Sequence, residues 1–165
     1  MEQRNQIMTA EVANKKLRRM ALQVVEQTYT EAQLILVGIK ASGSVIAAKI
    51  GQYIKEVFTG EVVLLELSMD KKHPLSISLD SDMDLNDKTI VLIDDVANSG
   101  RTMLYALKPL LNQLPKKVQT LALVERTHKS FPVDVDYVGF SVSTTLDEHI
   151  LVEVADGEVM GAWLN

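Results

Sequence analysis

Short runs of branched apolar residues at 34–39, 62–67, 89–93 and 118–124 recur along this chain, with helical apolar spacing at 43–57 and 103–111 set between them. A continuous apolar run too short for a helix reads as a strand buried on both faces, and strands that alternate with helices build a parallel sheet. The residues therefore predict an α/β fold, an open, mainly parallel sheet with helices on both faces. An amphipathic helix over roughly residues 9–28 precedes it, with Val12, Leu17, Met20, Ala21, Val24 and Val25 at helical spacing. A further strand is expected at 137–142. Around Asp156-Gly157 the tail at 150–164 carries two apolar runs, which predicts a small C-terminal hood or hairpin. Residues 68–88 are polar and contain Pro74, so they predict a long loop, and a loop of that length in a compact fold is usually functional or mobile.

A chain of 165 residues suits one domain spanning 1–165, which should bury roughly 70% of the surface its unfolded form exposes. Hydrophobic residues at 47% and charged residues at 24% exclude a disordered or fibrous chain. The absence of cysteine excludes disulfides and thiolate metal sites and fits a reducing cytoplasm. Neither the first eight residues nor the apolar region 34–50, interrupted by Lys40 and Lys49, has the pattern of a signal segment or a membrane span. A soluble, cytoplasmic protein with no membrane partner is expected. The net charge of −5 opposes non-specific nucleic-acid binding. Lys15, Lys16, Arg18 and Arg19 form a local basic cluster without aromatic neighbours in sequence, which reads as a solvated helix face; RNA binding is not supported.

Two strand-to-helix turns carry the chemistry. In Val91-Leu-Ile-Asp-Asp-Val-Ala-Asn-Ser-Gly-Arg-Thr102 the apolar run ends in Asp94 and Asp95 and passes at once into a small, hydroxyl-rich turn. Backbone N–H groups at a helix N-terminus converge on a phosphate; Gly100 permits close approach, and Ser99 and Thr102 add hydroxyl donors. Two carboxylates beside such a cradle repel a simple anion. The ligand they suit brings vicinal hydroxyls that donate to them, or a divalent cation that neutralises them. The other turn, Val37-Gly-Ile-Lys-Ala-Ser-Gly-Ser44, supplies Lys40 as a point charge and Gly43 for an unusual backbone path. It lacks the Gly-Lys-Ser/Thr ending of a nucleotide P-loop. His73, His128 and His149 have no ligand-like spacing.

These residues resemble the phosphoribosyl pyrophosphate (PRPP) signature of the type I phosphoribosyltransferases. The resemblance extends over roughly residues 17–154 and is most complete toward the pyrimidine-operon regulators that double as uracil phosphoribosyltransferases, through Ile35-Leu-Val-Gly-Ile-Lys40, Leu123-Val-Glu-Arg126, His128-Lys-Ser-Phe-Pro132 and Asp136-Tyr-Val-Gly139. It implies Mg²⁺-dependent transfer of a phosphoribosyl group from PRPP to a nucleobase, uracil first, with release of pyrophosphate. Asp94 and Asp95 would be catalytic and would approach the metal indirectly. Ala97, Asn98, Ser99, Gly100, Arg101 and Thr102 would bind the 5′-phosphate, Lys40, Ala41, Ser42 and Gly43 the pyrophosphate, and Arg126, Phe140 and Val142 the base. A homo-oligomer, a dimer by family habit, is expected.

Three departures from those regulators are visible. Ala41-Ser42 stands where they have Thr-Arg, Leu67-Ser-Met-Asp-Lys-Lys72 stands where their lid has Tyr-Arg-Asp-Asp, and the RNA-binding first helix is matched in part. Residues 70–73, Asp-Lys-Lys-His, fall where the family has a lid. Relative to 6-oxopurine enzymes, Asn98 replaces the acid that handles the purine N7 proton, and Asp134 replaces a lysine. The alternatives are a purine phosphoribosyltransferase and a catalytically weak nucleotide-sensing regulator.

Overall fold

The structure is a computed structural model describing residues 4–165; Met1 to Gln3, the start of the N-terminal stretch read above, lie outside the described residues. In chain order the elements are β1 (Asn5–Thr9), α1 (Ala10–Thr28), β2 (Gln33–Ile39), α2 (Ser42–Lys55), β3 (Glu61–Met69), β4 (Ile77–Leu79), β5 (Thr89–Ala97), α3 (Arg101–Leu110), β6 (Lys117–Arg126), β7 (Tyr137–Val142), β8 (Ile150–Ala155) and β9 (Glu158–Leu164). Six strands form the main sheet in the order β4-β3-β2-β5-β6-β7, all parallel except the antiparallel edge strand β4.

The side-chain period of two sorts the core. In β2, Leu34 and Leu36 face the layer holding Leu17, Met20 and Val24 of α1 and Ile46, Ile50 and Ile54 of α2. Ile35, Val37 and Ile39 face the other way, against Ala106 and Leu110 of α3 and Leu85 of the long loop. β5 repeats the pattern, with Val91 and Ile93 in the first layer and Ile90 and Leu92 in the second. Burial on both faces is why these strands are apolar throughout rather than alternating.

Two elements escaped the sequence reading. β1 pairs antiparallel with β9 and, with β8, makes a separate three-stranded sheet. Its sequence, Asn-Gln-Ile-Met-Thr, buries only Met8 fully and carries no strand signal of its own; pairing with a distant hairpin creates it. β4, inside the polar loop, is held by pairing of Leu67, Ser68 and Met69 with Leu79, Ser78 and Ile77. The hairpin itself forms where Asp156-Gly157 predicted it, with φ of 50° and 76° at the two turn residues, as a tight turn matched to strand twist requires. β5 also runs four residues past the predicted end at 93, to Ala97, carrying both aspartates on the strand.

Core position fixes the cost of truncation. Leu36→Ala, at a side chain with 0% exposure in the central strand, should lower unfolding stability by about 2–5 kcal/mol. Leu114→Ala, at an 81% exposed leucine, should change it by less than about 0.5 kcal/mol. Urea denaturation monitored by circular dichroism measures both.

Candidate functional site

The chain leaves β2 for β3 on one side and returns to β5 on the other, so the sheet order reverses between β2 and β5. In open α/β sheets such a reversal opens a crevice beyond the carboxyl ends of the strands. Register gives the depth of this one: β2 and β5 are paired from Leu34↔Thr89 to Gly38↔Ile93, and from there β2 turns away into α2 while β5 continues through Asp94 and Asp95. The carboxylates serve the freed strand edge, with Asp94 Oδ1 accepting from Asp95 N at 2.9 Å and Asp95 Oδ1 from Val96 N at 2.8 Å.

Asp94 is 1% exposed. The N-terminal turn of α2 lies directly against it: a Cβ added to Gly43 would stand 2.8 Å from the Ile93 carbonyl oxygen and 3.3 Å from Asp94 Oδ1. Residue 43 must therefore be glycine for steric reasons. Burial first, and then the charge of Asp95, push the Asp94 carboxyl up to about 8, while the Lys71 ammonium pulls the other way.

Both helices that begin at this crevice start uncapped. α2 has Ala41 at its N-cap and α3 has Gly100, at φ 84°; neither has a side-chain cap bond or an acidic residue in its first turn. By contrast α1, remote from the crevice, has Val12 N donating to Thr9 Oγ1 at 3.2 Å and Glu11 in its first turn. Arg101 N donates to Ser99 Oγ at 3.3 Å and Ser44 N to the Ala41 carbonyl at 3.2 Å; the other N-terminal N–H groups and an uncompensated helix dipole at α2 and α3 suit anions. The α3 turn is braced from outside, because Ser99 O accepts from both Ser130 N and Phe131 N at 3.0 Å.

A cavity of about 380 Å³ opens here, lined by Asp94, Asp95, Val96, the whole turn from Ala97 and Asn98 through Ser99, Gly100, Arg101 and Thr102, and by Lys71 and residues 150–152 of β8. The structure thus brings together the acid pair and the proposed 5′-phosphate turn. Arg126 joins them at the rim, donating from Nη1 to Asn98 Oδ1 at 3.1 Å and from Nη2 to the Thr145 carbonyl. Lys40, Ala41 and Ser42 lie at the head of α2 beside the crevice, with Lys40 Nζ paired to Glu66 at 2.9 Å instead of reaching into it. Phe140 and Val142 are not among the lining residues; both pack toward the α1 layer, and Lys16 sits 5.9 Å above the Phe140 ring.

Two contributors came from parts of the chain without an anion signature. Lys71, from the long loop, places Nζ 3.0 Å from Asp94 Oδ1 and 3.7 Å from Asp95 Oδ1. The Leu67-to-Lys72 departure had already singled out that loop; nothing in sequence pointed to Ile150, Leu151 or Val152 as a wall. The basic cluster on α1 is engaged within the chain. Lys15 pairs with Glu11, Arg18 with Glu56, and Arg19 donates to the carbonyls of Val138 and Gly139.

The comparisons with known proteins agree with this geometry. The family model for the phosphoribosyl transferase domain matches residues 3–156. The Bifunctional protein PyrR of Ligilactobacillus salivarius (strain UCC118) is 33% identical over 161 residues, covering 90% of either chain. That of Caldicellulosiruptor saccharolyticus is 34% identical over 171 residues, covering 96% of this chain and 93% of the relative. Among solved structures, a hypoxanthine-guanine phosphoribosyltransferase from Bacillus anthracis superposes with a TM-score of 0.73 at 16% identity over 96% of either chain. A Trypanosoma cruzi hypoxanthine phosphoribosyltransferase in a ternary substrates complex gives 0.76 at 13% identity, covering 94% of this chain and 93% of that one. At such identities the structural likeness speaks for the fold alone. The chain belongs to the phosphoribosyltransferase family, with the α/β architecture expected of it and with relatives of the PyrR type.

Burial of Asp94 makes stability depend on pH. Its folded pKa lies near 8 against an ordinary 3.8, so the folded state retains a proton that the unfolded chain releases; that contribution is complete below the ordinary value and is lost as pH rises to about 8. Asp94→Asn removes this titration. Its melting temperature should exceed that of the parent protein above pH 8, and the gap should close as pH falls toward 4, in paired thermal scans.

Proposed function

We propose that the protein works as one domain over residues 1–165 and transfers a phosphoribosyl group from PRPP to a nucleobase, uracil first, releasing pyrophosphate. One observation carries the reading: a buried acid pair lies in a crevice flanked by two uncapped helix N-termini, which suits a ligand with hydroxyls in the middle and phosphate at both ends.

Asp94 and Asp95 accept the ribose hydroxyls and stabilise positive charge that develops on the sugar ring as the bond to pyrophosphate breaks. Ala97, Asn98, Ser99, Gly100, Arg101 and Thr102 hold the 5′-phosphate through backbone N–H groups and hydroxyls. Lys40, Ala41, Ser42 and Gly43 receive the pyrophosphate, which requires Lys40 to exchange Glu66 for the incoming anion. The residues supply position and electrostatics, with no covalent protein intermediate.

The donor set suits a Mg²⁺ ion that arrives with its substrate. No group of three His, Cys, Asp or Glu side chains placed to hold a metal ion occurs among the described residues. The two carboxylates do converge on one cation position, which the Lys71 ammonium fills. Mg²⁺ commonly binds one or two carboxylates and completes its shell with water and substrate phosphates. Asp94 and Asp95 would hold it indirectly, and when bound it would neutralise charge on the pyrophosphate.

Asn98 and Arg126 favour a pyrimidine over a purine. A guanidinium only donates, so the Asn98 atom facing Arg126 is its oxygen, and the amide left for a ligand is a donor. An amide cannot act as the carboxylate base that handles the purine N7 proton in the 6-oxopurine enzymes. Phe140 and Val142 bear on the base only through the shape of β7. A homodimer is the expected assembly and the cytoplasm the expected compartment; no helix among the described residues is long and apolar enough to cross a membrane.

Mg²⁺-dependent pyrophosphate release from PRPP, measured against uracil, hypoxanthine, guanine, xanthine and adenine, tests the reading. Uracil should turn over, and Asp94→Asn/Asp95→Asn should lower kcat/KM by about 10²-fold or more. Turnover of a purine alone would transfer the assignment to the purine enzymes. Nucleotide binding without turnover of any base would favour a nucleotide-sensing regulator.

A further inference from the structure

Lys71 occupies the position that any ligand of the acid pair has to take. Its ammonium lies 3.0 and 3.3 Å from the two oxygens of Asp94 and 3.7 Å from Asp95 Oδ1, and it lines the same cavity as the phosphate turn. The partners differ in how they are held. Asp94 is fixed in a central strand at 1% side-chain exposure, whereas Lys71 is 41% exposed and comes from the long loop after β3. Residues 71–73 are exposed, so little apolar burial anchors the segment.

What does hold the segment is polar and attached to the site itself. Arg101, within the phosphate turn, donates from Nη2 to the Lys72 carbonyl at 3.2 Å. Lys72 N donates to Asp70 Oδ1 at 2.9 Å, closing the local turn that aims Lys71 inward. The loop is thus attached at both ends of the prospective ligand, at the carboxylates and at the phosphate turn.

We propose that Lys71 is a tethered competitor, an autoinhibitory lysine that closes the acid pair and must leave before a sugar's hydroxyls or a cation can bind there. The inference rests on reading the cavity as a sugar-phosphate site. The ammonium fills the space against both carboxyl groups that a hydroxyl donor or a cation has to enter, so the ligand binds only the fraction of molecules in which the lysine has withdrawn. Apparent affinity falls by that fraction. Arg101 couples the release to the phosphate end: a phosphate that engages the guanidinium removes the hydrogen bond holding Lys72. The ammonium also offsets one unit of negative charge at the acid pair.

Calorimetric titration of the full chain with ribose 5-phosphate separates this role from that of a lysine that grips the ligand. Lys71→Met keeps the apolar stem and removes the charge; it should bind ribose 5-phosphate about tenfold more tightly than the parent protein, while Lys71→Arg stays close to it. In the parent protein, amine acylation read by mass spectrometry should increase at Lys71 when ribose 5-phosphate is added, relative to Lys108 on α3. Equal or weaker binding by Lys71→Met, or protection of Lys71 by the ligand, overturns the inference and leaves the site assignment standing. Failure of the parent protein and both variants to bind ribose 5-phosphate overturns the sugar-phosphate reading and this inference with it.

Discussion

A carboxylate with 1% exposure beside a second carboxylate is an expensive arrangement, and much of the site is organised around it. Among the described residues Asp94 finds relief in the backbone N–H of Asp95 and the Lys71 ammonium, and it also holds a proton. Each has a structural condition. Asp95 lies beyond the last β2–β5 pair, Gly38↔Ile93, the ammonium requires a long loop folded back over the crevice, and the proton is retained while burial disfavours the charged form. Gly43 is tied to the same constraint, since α2 starts so close to Asp94 that no side chain fits between them.

The crevice follows from topology before any side chain is specified. Crossing from β3 back over β2 to β5 puts the starts of α2 and α3 on neighbouring strands, so two helix N-termini flank one acid pair. Helix α1 contributes no residue to the cavity lining and is capped in the ordinary way by Thr9. An N-cap side-chain bond on α1 and none on α2 or α3 distinguishes the helix away from the lining from the two that border the crevice. It also gives the small β1-β9-β8 sheet a part to play, because β8 closes the cavity wall through residues 150–152.

Two of the departures from the pyrimidine-operon regulators noted in the sequence border the crevice: Ala41 and Ser42 open α2, and Leu67 to Lys72 run from the end of β3 into the long loop. Near the crevice the loop after β3 brings Lys71 to the acid pair, and Lys40, just before α2, is paired with Glu66.

Local sequence was enough for the five parallel strands of the main sheet, the helices, the hairpin at Asp156-Gly157 and the turn that follows Asp94-Asp95, because each announces itself by apolar period, turn chemistry or an acid pair beside a glycine, whereas the edge strand β4 lay unread in the polar loop. Strand β1 was illegible, since Asn5–Thr9 is a strand only by virtue of β9, more than a hundred and fifty residues away in sequence. So was the direction of Lys40, which depends on Glu66 of the adjacent strand, and the turning of Phe140 and Val142 toward α1. Lys71 belongs to the same group: its sequence neighbours mark a polar loop, and only the folded path of that loop brings the ammonium to Asp94. Periodicity and turn chemistry are properties of neighbouring residues and survive in a linear string. Burial, pairing and the meeting of charges from distant segments are set by how the layers close on one another.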